Sequence, residues 1–125
     1  MADPFKTGLE HIRAGRWFEA HEELEIAWRA AAPEERDFFQ GLVHVAVAWY
    51  QDARGNRVGT ERQLEKALRR LAPFEPRHRE VDVAALRAQL AELLETLDLG
   101  GRQPDGIERA VDGDVEPPVA MEEQE

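Results

Sequence analysis

The chain has 125 residues, 42% of them hydrophobic and 34% charged, with no cysteine and a formal net charge of −10. That length suits one domain with one hydrophobic core, and the lack of thiols excludes disulfides, thiolate metal sites and a cysteine nucleophile. No window approaches the roughly eighteen uninterrupted apolar residues of a membrane span, and the N-terminal MADPFKTGLEH has no basic region followed by an apolar run, so the sequence reads as soluble and cytoplasmic, with no membrane partner.

Asp3-Pro4 predicts a helix start, since Asp can cap and Pro fits the first helical position; Phe5, Leu9 and Ile12 follow at helical spacing, and Gly15 ends the helix. A second helix is expected from Arg16 to Ala31, with Trp17, Ala20, Leu24, Ala27 and Trp28 on its apolar side and Pro33 as its stop. The third, from Glu34 to Arg54, is apolar nearly all round and belongs in the middle of a bundle. Gly55-Asn56 is the break before a fourth helix that ends near Ala72, with Leu64, Ala67, Leu68 and Leu71 as its inner stripe. Pro73 and Pro76 bracket a connector, Asp82 caps a fifth helix carrying Leu86, Leu90, Leu93, Leu94 and Leu97, and Gly100-Gly101 terminates it. No segment reads as a strand. The expected fold is therefore all-α, a single-domain bundle of about five helices over residues 1–99.

Charge is unevenly spread. Residues 100–125 hold eight acidic and two basic residues, so that segment carries −6 and residues 1–99 only −4. Too few large apolar residues lie beyond 99 to offset the entropy of ordering them, which predicts a disordered acidic tail over 100–125. Between Arg54 and Arg79 the balance reverses, with eight basic and three acidic residues.

The stretch FEAHEELEIAW, Phe18 to Trp28, carries the candidate chemistry. His21 and Glu25 are four residues apart, hence on one face of a helix, and projection places them at the edge of the apolar stripe between Phe18 and Trp28. A carboxylate there needs a hydrogen bond, an ion pair or a cation. On the third helix Asp37, Gln40, His44 and Gln51 form a polar strip within a sector of roughly 80°. If the strip faces His21 and Glu25, the bundle interior holds two imidazoles, a carboxylate and amides, as helical-bundle metal sites do. The plainer alternatives are a pair hydrogen-bonded within itself or to backbone, with Trp28 as core filler, and a water-facing strip. The sequence HEELE lacks the second histidine of HExxH, which excludes that protease signature. His11 and His78 read as surface residues.

In combination, GRWFEAHEELEIAWR and RDFFQGLVHVAVAWYQDARGN resemble the bacterial and archaeal family called domain of unknown function 309, small all-helical proteins marked by His-x-x-x-Glu-x-x-Trp/Tyr, met here by His21, Glu25 and Trp28. The resemblance runs from about Leu9 to Leu71. It implies that metal binding is suspected at the motif, which makes His21 and Glu25 the candidate metal ligands; the cofactor is left open, a divalent metal being the candidate, and no activity is established for the family, so whether the chain is an enzyme stays open. The family pattern more often has Gln at position 44 and His at 51, so His44 and Gln51 depart from it and neither is assigned a ligand role.

Two other readings rest on different features. Gly15, Leu24, Glu25 and Ala27 recur forty residues on as Gly55, Leu64, Glu65 and Ala67, an echo of helical-hairpin repeats such as the tetratricopeptide type; with the aromatic residues Trp17 and Trp49 it points to a module that binds a protein partner. The basic residues Arg54, Arg57, Arg62, Lys66, Arg69, Arg70, Arg77 and Arg79 offer an anion or RNA surface, but without the interleaved aromatics of single-strand binders, so a nucleic-acid partner is not favoured.

Overall fold

The computed structural model describes residues 3–100, with side chains through residue 97. Asp3 accepts the Phe5 N–H at 3.0 Å, and α1 (Pro4–Ala14) starts where the sequence places it. It ends on Gly15 at φ 76°; this left-handed residue lets the N–H groups of Gly15 and Arg16 bond the carbonyls of Ile12 and His11 at 3.1 and 2.9 Å. The chain then runs through α2 (Trp17–Ala30), a 3-10 turn at Pro33–Glu35 and α3 (Arg36–Ala53). The predicted start of α3 at Glu34 moves to Arg36 because the 3-10 turn forms separately, with the Glu35 N–H bonded to the Ala32 carbonyl at 2.9 Å. Gly55, at φ 78°, repeats the device of Gly15 before α4 (Arg57–Leu71). Two glycine-turned helical hairpins thus account for the sequence echo, and α5 (Val83–Gly100) stands without a hairpin partner.

The central helix is α3. Twelve of its eighteen residues are buried, from Phe38 through Ala48 and at Gln51. Ala20 and Leu24 of α2 and Leu64, Ala67 and Leu71 of α4 meet it from two sides with no exposed surface, and Phe5, Val83 and Leu90 complete the core. Burying a side chain of this kind contributes roughly 1.5–3 kcal/mol, so most of the stability resides in the two seams of α3.

A small sheet departs from the all-helical expectation. Arg77–His78 (β1) and Val81–Asp82 (β2) pair antiparallel, Arg77 opposite Asp82 and His78 opposite Val81. Arg79 and Glu80 make the turn at φ 49° and 67°, the left-handed pair that a tight hairpin demands. Neither is Gly or Asn, and two-residue strands have no periodicity, so the sequence shows no signal for it. The hairpin is held from outside. His78 Nε2 and Arg79 Nε both donate to Glu35 Oε1 at 2.8 Å, the His78 ring packs 4.6 Å from Phe38 and 4.8 Å from Phe74, and the Arg79 guanidinium lies 5.1 Å from the Phe39 ring. His78, expected at the surface, is therefore a half-buried anchor. Asp82 caps α5 as expected, accepting the Ala85 N–H at 3.0 Å. The acidic tail expected at 100–125 falls almost entirely outside the described residues.

Two expectations follow. A Cβ on Gly41 of α3 would lie 2.7 Å from Leu71 Cγ and Cδ2. The helix-propensity gain of about 1 kcal/mol from Gly→Ala is then outweighed by overpacking of roughly 1–3 kcal/mol. Gly41→Ala should lower the urea midpoint; a raised midpoint would show that α3 and α4 can part freely. Secondly, hydrogen bonds from His78 and then Arg79 hold the Glu35 carboxyl below its ordinary 4.5. Its stabilisation is present above that value and lost as pH falls through the lower folded one. Glu35→Gln should therefore destabilise at pH 7, with the gap to wild type closing as pH falls through the lowered folded value; a gap that persists in acid denaturation would assign the effect to packing.

Candidate functional site

The site face belongs to α2. With Ala20 and Leu24 fixed against the core, the next residues round the helix, His21 and Glu25, fall at the edge of that face and are drawn in with it, 5% and 7% exposed. Trp28 lies one further turn along. The face runs antiparallel to α3: Trp17 and Phe18 meet Trp49 and Tyr50 with ring centroids 5.9 Å apart, and the Arg36 guanidinium sits 4.9 Å over the Trp28 ring. His21 and Glu25 lie between these ends.

The expected hydrogen-bonded pair does not form. His21 Nε2 and Glu25 Oε1 are 3.9 Å apart, beyond hydrogen-bonding range. His21 Nδ1 is 3.3 Å from the Phe18 carbonyl, which fixes the ring as the tautomer that donates from Nδ1 and leaves the Nε2 lone pair outward. Glu25 Oε1 is 3.4 Å from the exposed Arg29 guanidinium. The remaining polar atoms of the motif, His21 Nε2, Glu25 Oε2 and Trp28 Nε1, are buried with no hydrogen-bond partner in the protein. Each such group costs about 1–3 kcal/mol when left unsatisfied. Burial pushes the His21 pKa down, against the smaller upward pull of Glu25, so the imidazole is neutral near pH 7 with its lone pair available.

A neutral imidazole anchored through Nδ1 to a backbone carbonyl is the form in which histidine binds metal, and the carboxylate oxygen supplies a second donor. Among the described residues no three His, Cys, Asp or Glu are grouped to hold an ion. A tetrahedral zinc site with three protein ligands is thus not what these residues would build; an ion here would draw its remaining ligands from water or from a bound small molecule.

The strip on α3 does something else. It is buried, not water-facing: His44 has no exposed surface and Gln51 1%. His44 Nδ1 and Gln63 Oε1 of α4 are 2.7 Å apart, Gln51 Oε1 accepts from Asn56 Nδ2 at 3.0 Å, Asn56 Oδ1 caps α4 through the Gly59 N–H at 3.0 Å, and Thr60 Oγ1 bonds the Asn56 carbonyl at 2.7 Å. The first two bonds tie α3 to α4, and the other two fix the start of α4. Asp37, the outer end of the strip, is exposed and pairs with Arg70 at 2.8 Å. The sequence marks Asn56 only as part of the break before α4 and does not single out Thr60 or Gln63, yet Thr60 and Gln63 share the face of Leu64, Ala67 and Leu71, a spacing that marks them as inward. Of the basic stretch, Arg54 bonds the Tyr50 hydroxyl at 2.6 Å, Arg70 bonds Asp37 and Arg79 bonds Glu35, so part of that charge is engaged within the chain.

Comparison with known proteins places these residues. The family model described as domain of unknown function (DUF309) matches residues 5–63. Over that stretch, 59 of the 125 residues, the chain is similar to DUF309. His21, Glu25 and Trp28 lie inside the match, and the hairpin and α5 lie beyond it. The chain is similar to an uncharacterized protein of Aquifex aeolicus (strain VF5), 30% identical over 100 residues, which are 79% of this chain and 30% of that protein. It is also similar to the uncharacterized protein YpuF of Bacillus subtilis (strain 168), 32% identical over 83 residues, 65% of this chain and 46% of that one. The chain spans less than half of either relative. No solved structure matches it. Among the described residues no helix is long and apolar enough to cross a membrane.

The burial of His21 predicts its titration. Its midpoint in a two-dimensional NMR titration should fall below the ordinary 6.5. Because the unfolded chain takes up this proton first, stability is lost as pH drops from 6.5 through the lower folded value, and His21→Gln should flatten that slope. A midpoint at or above 6.5 would mean that Glu25, rather than burial, governs the ring.

Proposed function

We propose that this protein binds a divalent metal ion through His21 Nε2 and the Glu25 carboxylate, with the open coordination positions filled by water or by a small polar ligand that accepts the Trp28 indole N–H. The observation that supports it is the coincidence, on one helix face, of three buried polar atoms that the protein leaves unpaired. A protein does not carry three such groups over two turns of helix without cost, and an ion with its ligand would satisfy an imidazole lone pair, a carboxylate oxygen and an indole donor together. The family match covers all three residues. A binding function needs nothing further from the fold.

Metal content of untagged protein, followed by calorimetric titration with Mn2+, Co2+, Ni2+ and Zn2+, tests the reading. One ion per chain is expected, and His21→Ala should weaken binding by more than the roughly 10–100-fold that loss of an outer-sphere partner costs. Glu25→Gln should act in the same direction, and both variants should keep wild-type circular dichroism. No bound ion in the isolated protein, together with no heat on titration, would overturn it.

A further inference from the structure

Helix α5 leaves much of its apolar side incompletely covered. Leu86, Leu93, Leu94 and Leu97 are only half-buried against the bundle. On one side α5 stands off from α1, α2 and α3 and leaves a cleft of about 560 Å3, walled by Trp17 and Trp49 and floored by Val45, Leu86 and Leu93. On its other side, against α4, a second cleft of about 850 Å3 is lined by Glu61, Glu65, Glu92 and Glu95. Gln89 and Glu92 line both, so the two clefts form one surface that crosses α5 over the exposed Ala88. Among the described residues no lysine, arginine or histidine lines either cleft.

We propose that this surface docks a basic amphipathic helix of another polypeptide. The apolar residues of such a helix, at i, i+3, i+4 and i+7, fit the Trp17–Trp49 cleft in the manner of helix-in-groove recognition. Its lysines and arginines reach across the alanine ridge to the four glutamates, which, being at the rim, guide and select by sign without a large desolvation cost. The indole walls favour a cation a second time, through their π faces. Charge excludes one occupant this chain could itself supply, and burial excludes the other. The segment beyond residue 99 carries −6 and would be repelled by the rim. The basic helix of a second copy, α4, has its apolar face already buried under α3.

The test uses the full chain and a fluorescein-labelled 18-residue Leu/Lys peptide patterned as an amphipathic helix. Two control peptides accompany it, one of the same composition with the pattern scrambled and one with Glu for Lys. The patterned Leu/Lys peptide should bind at least about tenfold more tightly than the scrambled one and quench tryptophan emission, and the Leu/Glu peptide should not bind. The combined variant E61Q/E65Q/E92Q/E95Q should weaken binding by about tenfold or more at low salt, with the difference shrinking at 0.5 M salt as rim electrostatics are screened. Leu93→Ser, which leaves the charges in place, should weaken it at both salt concentrations. Equal affinity for the scrambled peptide would overturn the proposal in favour of diffuse attraction to an acidic chain. So would saturation by butyltrimethylammonium without peptide binding, which would make the occupant a small cation. Concentration-dependent self-association abolished by Leu93→Ser, seen by sedimentation, would overturn it in favour of a second copy.

Discussion

Burial of α3 on nearly every side is the constraint from which the rest of this structure follows. A helix without a watery face has to find a partner for each polar side chain it carries, and it can do so only through the helices around it. The strip of Gln40, His44 and Gln51 is therefore less a site than a consequence. It is turned to α4, where Gln63 and Asn56 meet two of its members, and the Asn56 side chain that bonds Gln51 also caps α4. One amide thus fixes both the start of α4 and its registry on α3. These bonds set α4 at one rotation about its axis more firmly than Leu64, Ala67 and Leu71 alone could, though the buried Gln51 Nε2 is left without a hydrogen-bond partner.

The α2 side of α3 is built to the opposite rule. There the apolar seam of Ala20 and Leu24 is complete, but the polar residues beside it have no counterpart. Arg29 reaches one Glu25 oxygen from solvent, and the Phe18 carbonyl engages one His21 nitrogen; the two atoms that would bind an ion or a polar ligand are those left over. The α4 side differs in having side-chain bonds across the seam at 2.7 and 3.0 Å, although Gln51 Nε2 is buried there without a hydrogen-bond partner. One polar cluster of the bundle is thus bonded across a helix seam and the other is not, which is why the α2 face is the one proposed as a binding site.

The helices were legible because their signals are local and repeated. Asp3-Pro4, Gly15, Gly55-Asn56 and Asp82 each mark a boundary through the chemistry of one cap or one turn, and the structure uses Asp3, Asn56 and Asp82 as side-chain caps. Proximity of His21 to Glu25 was legible from the helical repeat, and so was their semi-buried placement. Their failure to bond was not, because a separation of 3.9 Å instead of about 3 Å depends on rotamers, which periodicity does not encode. The direction of the His44 strip was equally hidden. A helix apolar nearly all round gives no sign of which neighbour its polar residues meet, and only the inward spacing of Thr60 and Gln63 on α4 hinted at it. The hairpin was invisible for a different reason: Arg79 and Glu80 adopt a glycine-like conformation held by the long-range contacts of His78 and Arg79 with Glu35, forty-three and forty-four residues away.

The match to DUF309 stops at residue 63, within α4, and the energetics of α3 say that this cannot be where the structural unit stops. Leu64, Ala67 and Leu71, all without exposed surface, lie beyond it, and Leu71 fills the notch that Gly41 leaves in α3. A chain cut at 63 would expose one side of its central helix, so the folded unit needs α4 at least through Leu71. The similarity to the Aquifex aeolicus protein, which extends over 100 residues, is longer than the family match, as that requirement demands. What lies further on, the hairpin and α5, adds different things: the hairpin clamps the aromatic end of α1 and α3 through His78 and Arg79, whereas α5 covers the opposite end of the bundle incompletely and leaves Trp17 and Trp49 half-open. Since Trp17 and His21 are one turn apart on α2, the part of the molecule shared with the family and the part beyond it meet on a single helix.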